Sequence, residues 1–296
     1  MNKLFNRGLV FAIGAALAYS RRNMLVKEHS VSMGSGEIVF GRSIIGIIIL
    51  LLIMKKFNIK FSNRDISALV FRGAAGGLSM FLIFIAISCM HLGDVAILQQ
   101  LSAIFVLFLS AVWLKEKIPA KAIPPLVVII LGTVLLLRPW EYNSFSIYAV
   151  FAIMAAFLAA MAYVTINRLF KNGGHNSWEI VFYFLLCSTF IGMAAMLKNF
   201  HYPNNHEMIL LVAIGLFSLL AQALMTQAYG LTSAVFVSFV LYLGVFFNAL
   251  WGYLFFDEIM HALSITGGVL IIGGSILLTI TKNKLRKKRI DVIKKE

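Results

Sequence analysis

The chain has 296 residues, 60% of them apolar and 13% charged, against about 45–50% and about 25% in water-soluble domains. That composition excludes a water-soluble globule. Ten membrane crossings of about 20 residues use roughly 200 residues and leave no room for a separate soluble domain. The net charge of +14 is not a nucleic-acid footprint, because much of it follows an apolar stretch near the C-terminus with no interleaved aromatic residues for base stacking.

The apolar stretches run without alternation, which argues for helices over a membrane barrel. In chain order they are expected at about 8 to 26, 37 to 54, 66 to 90, 94 to 114, 122 to 137, 147 to 167, 178 to 197, 208 to 229, 232 to 256 and 262 to 281. The first imitates a secretory signal, with Lys3 and Arg7 ahead of an apolar run and Ala16-Leu17-Ala18 behind it. Cleavage there would leave nine crossings, so the segment is taken as the first helix.

Alternating the connections puts Lys3, Arg7, Lys55, Lys56, Lys60, Arg64, Lys115, Lys117, Lys121, Arg168, Lys171 and the basic tail on one side. The other side receives Arg21, Arg22, Lys27, Arg138 and Lys198. The positive-inside rule then makes both termini cytoplasmic, in a multi-pass protein of the bacterial inner membrane with the tail against anionic lipid.

Residues 37 to 40 and residues 179 to 182 both read Glu-Ile-Val-Phe, an offset of 142. The same offset carries Glu116 onto Glu258 at the ends of long helices, and Gly132 onto Gly274. Three landmarks at one offset argue for duplication. An odd number of crossings per copy makes the second copy enter the membrane from the opposite face. The expected fold is therefore an all-α polytopic membrane protein of ten transmembrane helices in two inverted five-helix repeats, over residues 1–142 and 143–284, with a basic cytoplasmic tail over 285–296.

Further landmarks are Glu37 followed by Arg42, Arg72-Gly73 opening the third helix, and Ala86 to Ala96 joining the third to the fourth. With the paired helix ends and the glycine-bearing fifth and tenth helices, these residues resemble the EamA type of the drug/metabolite transporter superfamily. The resemblance covers nearly the whole chain. It implies carriage of small metabolites, often amino acids or related compounds, in many members by export against a proton gradient. The family often has a proline in the middle of its fourth and ninth helices; here those positions are Ala103 and Val245, so no gating role is carried over.

Helical spacing supplies the candidate lining residues. Tyr19, Arg22 and Asn23 share a face of the first helix, and Tyr163 occupies the sixth. Gln99 and Ser102 lie on one stripe of the fourth, Gln222 and Thr226 pair in the eighth, and Ser238 and Tyr242 pair in the ninth. Such groups serve either as cavity lining or as hydrogen-bonding glue between helices. Arg21, Arg22 and Arg42 fall at similar depth near the outer end, where a charge is costly unless paired or hydrated. They either snorkel to headgroups, with Arg42 pairing Glu37, or form a cationic vestibule that receives a carboxylate or phosphate through arginine's planar fork. Substrate-binding positions are therefore expected at Tyr19, Arg22, Asn23, Arg42, Gln99, Ser102, Tyr163, Gln222, Thr226, Ser238 and Tyr242.

Glu116 and Glu258 read as helix-end groups, and Asp94 as a helix N-cap. The six histidines fall at helix ends or in connections, which gives no convergent catalytic or metal set. Cys89 and Cys187 form no CxxC pair. The chain reads as no enzyme, with no cofactor, metal or nucleic acid, and as a monomer whose Gly73-xxx-Gly77 serves internal packing, a dimer interface there being the alternative. Its partners are membrane lipids and a small-molecule substrate, with proton coupling left open. The preferred cargo is an amino acid or other organic anion moved by alternating access; a multidrug or cationic-compound exporter of the same fold is the alternative.

Overall fold

A computed structural model describes residues 3–62, 64–113, 123–137, 146–172, 175–197, 200–231, 240–241 and 243–293. Among them are eleven helices and no strand: α1 Lys3–His29, α2 Ser35–Lys56, α3 Ile66–Cys89, α4 Leu92–Gln99, α5 Ser102–Trp113, α6 Ile123–Leu137, α7 Ile147–Asn172, α8 Ser177–Met196, α9 Asn205–Leu231, α10 Leu243–Phe256 and α11 Ala262–Ile293. Five of these contain runs long and apolar enough to cross a membrane, namely Ser35–Lys56, Ile66–Cys89, Ile147–Phe170, Ser177–Met196 and Asn205–Ala228. The protein is a multi-pass membrane protein. Helix α1 is equally long but carries Arg21, Arg22, Lys27 and Glu28 in its second half, which breaks its apolar run.

Three details differ from the sequence expectation. The segment expected as the fourth crossing is two helices, because Gln100 N–H bonds Ile97 O at 2.9 Å and Leu101 N–H bonds Leu98 O at 3.1 Å, tightening the chain before α5 restarts at Ser102. Hydropathy does not register this joint, since only the hydrogen-bond register changes. The N-cap of α4 is His91, and Asp94 sits in the first turn with its carboxylate 3.8 Å from His91 Nδ1. There it still meets the positive end of the helix dipole. Finally, α11 does not stop near residue 281 but continues through the basic segment to Ile293.

The helices associate in a defined set of neighbours. Helix α1 lies against α9 and α10, α3 against α7 and α8, α2 against α8 and α9, α6 against α11, and α4 and α5 against α7. Small residues set the closest approaches, as they do where no hydrophobic drive separates helix from lipid. A Cβ at Gly73 would stand 2.5 Å from the Tyr183 carbonyl oxygen, and one at Gly132 would stand 2.7 Å from the Gly267 carbonyl oxygen. Gly73 and Gly77 therefore seat α8 of the same chain. The main apolar core runs through α2, α3 and α4 into α7 and α8, with Ile38, Leu50, Phe84, Ile87 and Ala155 fully buried.

Candidate functional site

Helix α1 carries most of the polar contacts because Tyr19, Arg22 and Asn23 project from one face at three-and-four spacing. The Tyr19 hydroxyl donates to Gln222 Oε1 of α9 at 2.6 Å and lies 3.3 Å from Met225 Sδ. One turn later, Arg22 Nε donates to Asn23 Oδ1 at 3.1 Å, and its Nη2 donates to the same oxygen. Asn23 Nδ2 in turn donates to Asn248 Oδ1 of α10 at 3.0 Å, while Asn248 Nδ2 donates to the Gly244 carbonyl at 2.6 Å. The amide chain fixes the angle at which Arg22 enters the bundle.

Two further arginines reach the same region from other helices. Arg42 of α2 holds its guanidinium carbon 5.7 Å from the Phe84 ring centroid and 5.5 Å from that of Phe184. Arg22 lies 5.4 Å from Phe84 and 4.8 Å from Tyr19, and Arg72 of α3 lies 4.6 Å from Phe184. The result is a ladder, Tyr19, Arg22, Phe84, Arg42, Phe184, Arg72, built from α1, α2, α3 and α8. Their relative exposures are 3% for Arg22, 1% for Arg42 and 2% for Arg72. All three guanidiniums are within Coulombic reach of Tyr19, Arg22 of Arg42, and Tyr163 of both Arg22 and Arg72.

Charge compensation within the protein is incomplete. Among the described residues no carboxylate pairs with any of the three, and Arg42 Nε, Nη1 and Nη2 and Arg72 Nε and Nη1 have no hydrogen-bond partner. Burying an ion costs several kcal/mol even after relaxation. A ring face returns about 0.5–2 kcal/mol per contact. The aromatic contacts of Arg42 and Arg72 therefore soften the penalty without cancelling it, and the guanidinium donors are left for water or an anion.

The structure sorts the expected residues. Tyr19, Arg22, Asn23, Arg42, Tyr163 and Gln222 converge. Thr226 is fully buried and spends its hydroxyl on the Gln222 carbonyl at 2.7 Å, within its own helix. Gln99 and Ser102 flank the α4–α5 joint, half-buried, and hydrogen-bond to none of the arginines. Ser238 and Tyr242 lie outside the described residues, as does Glu116.

Arg21 leaves the expected cluster to stack 4.9 Å from the Trp251 ring, and Arg72 replaces it. Neither does Arg42 pair with Glu37, whose carboxylate accepts from the Gly34 N–H at 3.0 Å and from the His201 N–H. Arg72 was missed as a site residue although a lone charge inside a 24-residue apolar helix is itself a functional signal. Its place in a family landmark concealed that signal.

Polar ties close the bundle at both ends. At one end Lys27 pairs with Glu258 and donates to the Met90 carbonyl at 2.6 Å, while Glu258 also accepts from the Leu92 N–H at 2.8 Å. The Glu37 tie to His201 lies at that end too. At the opposite end Glu179 Oε1 accepts from the Ser62 N–H at 2.9 Å, and its other oxygen lies 3.0 Å from His175 Nδ1. No group of three or more His, Cys, Asp or Glu among the described residues is arranged to hold a metal ion.

The model of the EamA-like transporter family matches this chain twice, over residues 6–138 and 146–280. The chain belongs to the EamA-like transporter family. It is 39% identical over 280 residues to the pseudopaline exporter CntI of Pseudomonas aeruginosa, a match covering 94% of this chain and 98% of that one. It is 24% identical to a riboflavin transporter of Vibrio cholerae, covering 96% and 97% of the two chains. Human solute carrier family 35 member G1 matches at 24% identity over 93% of this chain and 79% of its own length. A solved crystal structure superposes with a TM-score of 0.66 at 14% identity, covering 94% of this chain and 98% of that one, which supports the shared fold. As an EamA-like protein the chain is a membrane transporter for a small molecule, and not an enzyme.

Proposed function

We propose that this EamA-like protein is a secondary carrier that exports a small organic anion across a bacterial inner membrane by alternating access. The observation that carries the reading is the trio of buried guanidiniums Arg22, Arg42 and Arg72, of which Arg42 and Arg72 keep donors that the described residues leave unused. Donors that no protein carboxylate holds are open to take up an anion and to release it again. Arg42, Tyr19 and Gln222 hold the anion in this reading, and Asn23 with Asn248 keeps Arg22 aimed at it. A cationic cargo is disfavoured by the same three charges.

The two matched segments are read as inverted copies, each of five crossings, with both termini cytoplasmic. Helix packing supports this, because exchanging each crossing with the one five places on maps α1 on α9 onto α7 on α3, and α2 on α9 onto α8 on α3. Glu37 and its counterpart Glu179, 142 residues apart, each receive a backbone N–H from the other half, at opposite ends of the bundle. Rocking one half against the other would break one tie while keeping its counterpart.

The test is uptake into proteoliposomes containing the purified protein, with pseudopaline as the first compound and riboflavin as the comparison. Saturable pseudopaline uptake that disappears in Arg42→Gln is the expected result. Uptake of cationic compounds with no anion transport, unchanged in Arg42→Gln, would overturn the reading.

A further inference from the structure

We infer that the cargo carries two or more anionic groups, received together by Arg42 and Arg72 where both flank Phe184. This rests on the anion-carrier reading above and specifies its substrate class.

The argument begins with which donors are free. Two nitrogens of Arg22 are already committed to Asn23 Oδ1, so Arg22 contributes charge more than open hydrogen-bonding capacity. All three nitrogens of Arg42 and two of Arg72 have no partner among the described residues. The open donors thus belong to two side chains on two helices, α2 and α3, that share one aromatic ring at 5.5 Å and 4.6 Å. One carboxylate saturates one guanidinium fork in the bidentate geometry. A cargo with a single carboxylate leaves the second fork unmatched and two of the three positive charges uncompensated.

Local construction favours this pair. Gly76, one turn beyond Arg72, leaves the space the stack occupies: a Cβ there would stand 3.0 Å from Phe184 Cδ2 and 3.6 Å from Arg72 Nη1. The charge is also absent from the duplicated half. At the offset of 142, Arg22, Arg42 and Arg72 correspond to Val164, Phe184 and Ile214. Phe184, the counterpart of Arg42, is therefore the ring against which Arg42 itself rests. A scaffold duplicated in its glycines and helix ends departs from its own symmetry at all three positive positions, which suits a cargo that is itself asymmetric and multiply charged. Specificity then follows from unmatched groups: a monoanion enters but leaves buried donors unpaired.

The test uses purified full-length protein and a series of linear dicarboxylates from succinate to pimelate, citrate, and the monomethyl ester of each dicarboxylate, read by calorimetry. The expected result is that at least one dicarboxylate or citrate binds the wild type at least tenfold more tightly than the monoesters, and that Arg72→Gln erases this preference. Arg72→Lys, which keeps the charge and loses the fork, should retain part of it. Equal affinity for every dicarboxylate and its monoester, with no tighter binding of citrate, overturns the inference without any variant, as does a preference that survives Arg72→Gln. If monoesters bind and Arg42→Gln abolishes that binding, the anion reading stands while the two-group inference falls. If none of these carboxylates binds, both fall.

Discussion

Among the described residues, Arg42 leaves all three guanidinium nitrogens buried without a partner, and this makes a stability measurement informative. Replacing a buried, unpaired charge by an apolar residue of similar bulk is often neutral or stabilising, by about 1–4 kcal/mol. Arg42→Leu is therefore expected to match or exceed the wild type in thermal unfolding while losing substrate binding, the combination that marks a residue retained for function. Arg22→Leu should behave oppositely, because it strips two donors from Asn23 Oδ1 and leaves a buried acceptor at a cost of about 1–3 kcal/mol. A lower melting temperature for Arg42→Leu than for Arg22→Leu would refute this ranking. His29 ends α1 beyond the expected crossing, with neither ring nitrogen partnered among the described residues, and burial pushes its imidazole below the ordinary value. The unfolded chain then binds the extra proton first, so stability falls as pH drops below about 6.5 and is constant above it as far as His29 is concerned. The melting temperature of the wild type minus that of His29→Gln should decrease from pH 8 to pH 5, and a difference independent of pH would refute the assignment. At this scale the sequence was legible where three-and-four spacing aligned Tyr19, Arg22 and Asn23, or where a charge stood in an apolar run, as at Arg42. Spacing could not supply the partner of Arg21, which points about 100° away from Arg22 and meets Trp251, 230 residues later in the chain.

Among the elements, α3 and α11 make a controlled comparison. Alanine is favoured over glycine in a helix by about 1 kcal/mol, so a glycine substitution far from neighbours should stabilise slightly. A Cβ at Gly273 meets nothing within 4 Å, whereas at Gly73 it meets the backbone oxygen of Tyr183, which cannot rotate away. Gly273→Ala is expected to raise the melting temperature a little. Gly73→Ala is expected to lower it, with an overpacking cost of about 1–3 kcal/mol, measurable by thermal unfolding in detergent. Equal shifts for the two would mean that α3 and α8 can separate freely. The small-residue spacing of Gly73 and Gly77 was readable in advance as a contact, although not which helix it meets. The α4–α5 joint was not readable, because it falls on Gln100 and Leu101 with neither proline nor glycine to mark it.

For the whole molecule, the reading as an inverted pair makes the ties of Glu37 and Glu179 opposing latches. Glu37→Gln weakens the closure beside His201, and Glu179→Gln the closure beside Ser62 and His175. The two substitutions should shift the protein in opposite directions, read as opposite changes in the labelling rate of single cysteines introduced near each mouth. A shift in the same direction would argue that the ties only hold the folded state together. The expectation of a duplication was legible in Glu37 and Glu179, and in Gly132 and Gly274, which keep identity at a constant offset. How the halves interlock was not, since the contacts of α1 with α9 and of α3 with α7 join residues far apart in sequence. One further property comes from α11. Its 32 residues at about 1.5 Å each exceed a hydrocarbon thickness of about 30 Å, so its basic last turns stand clear of the bilayer as a continuation of a helix buried against α6. That segment acts as a pointer: a few degrees of tilt within the bundle become a lateral displacement at its tip, which a spin label or fluorophore attached there would report from the aqueous side without touching the transport path.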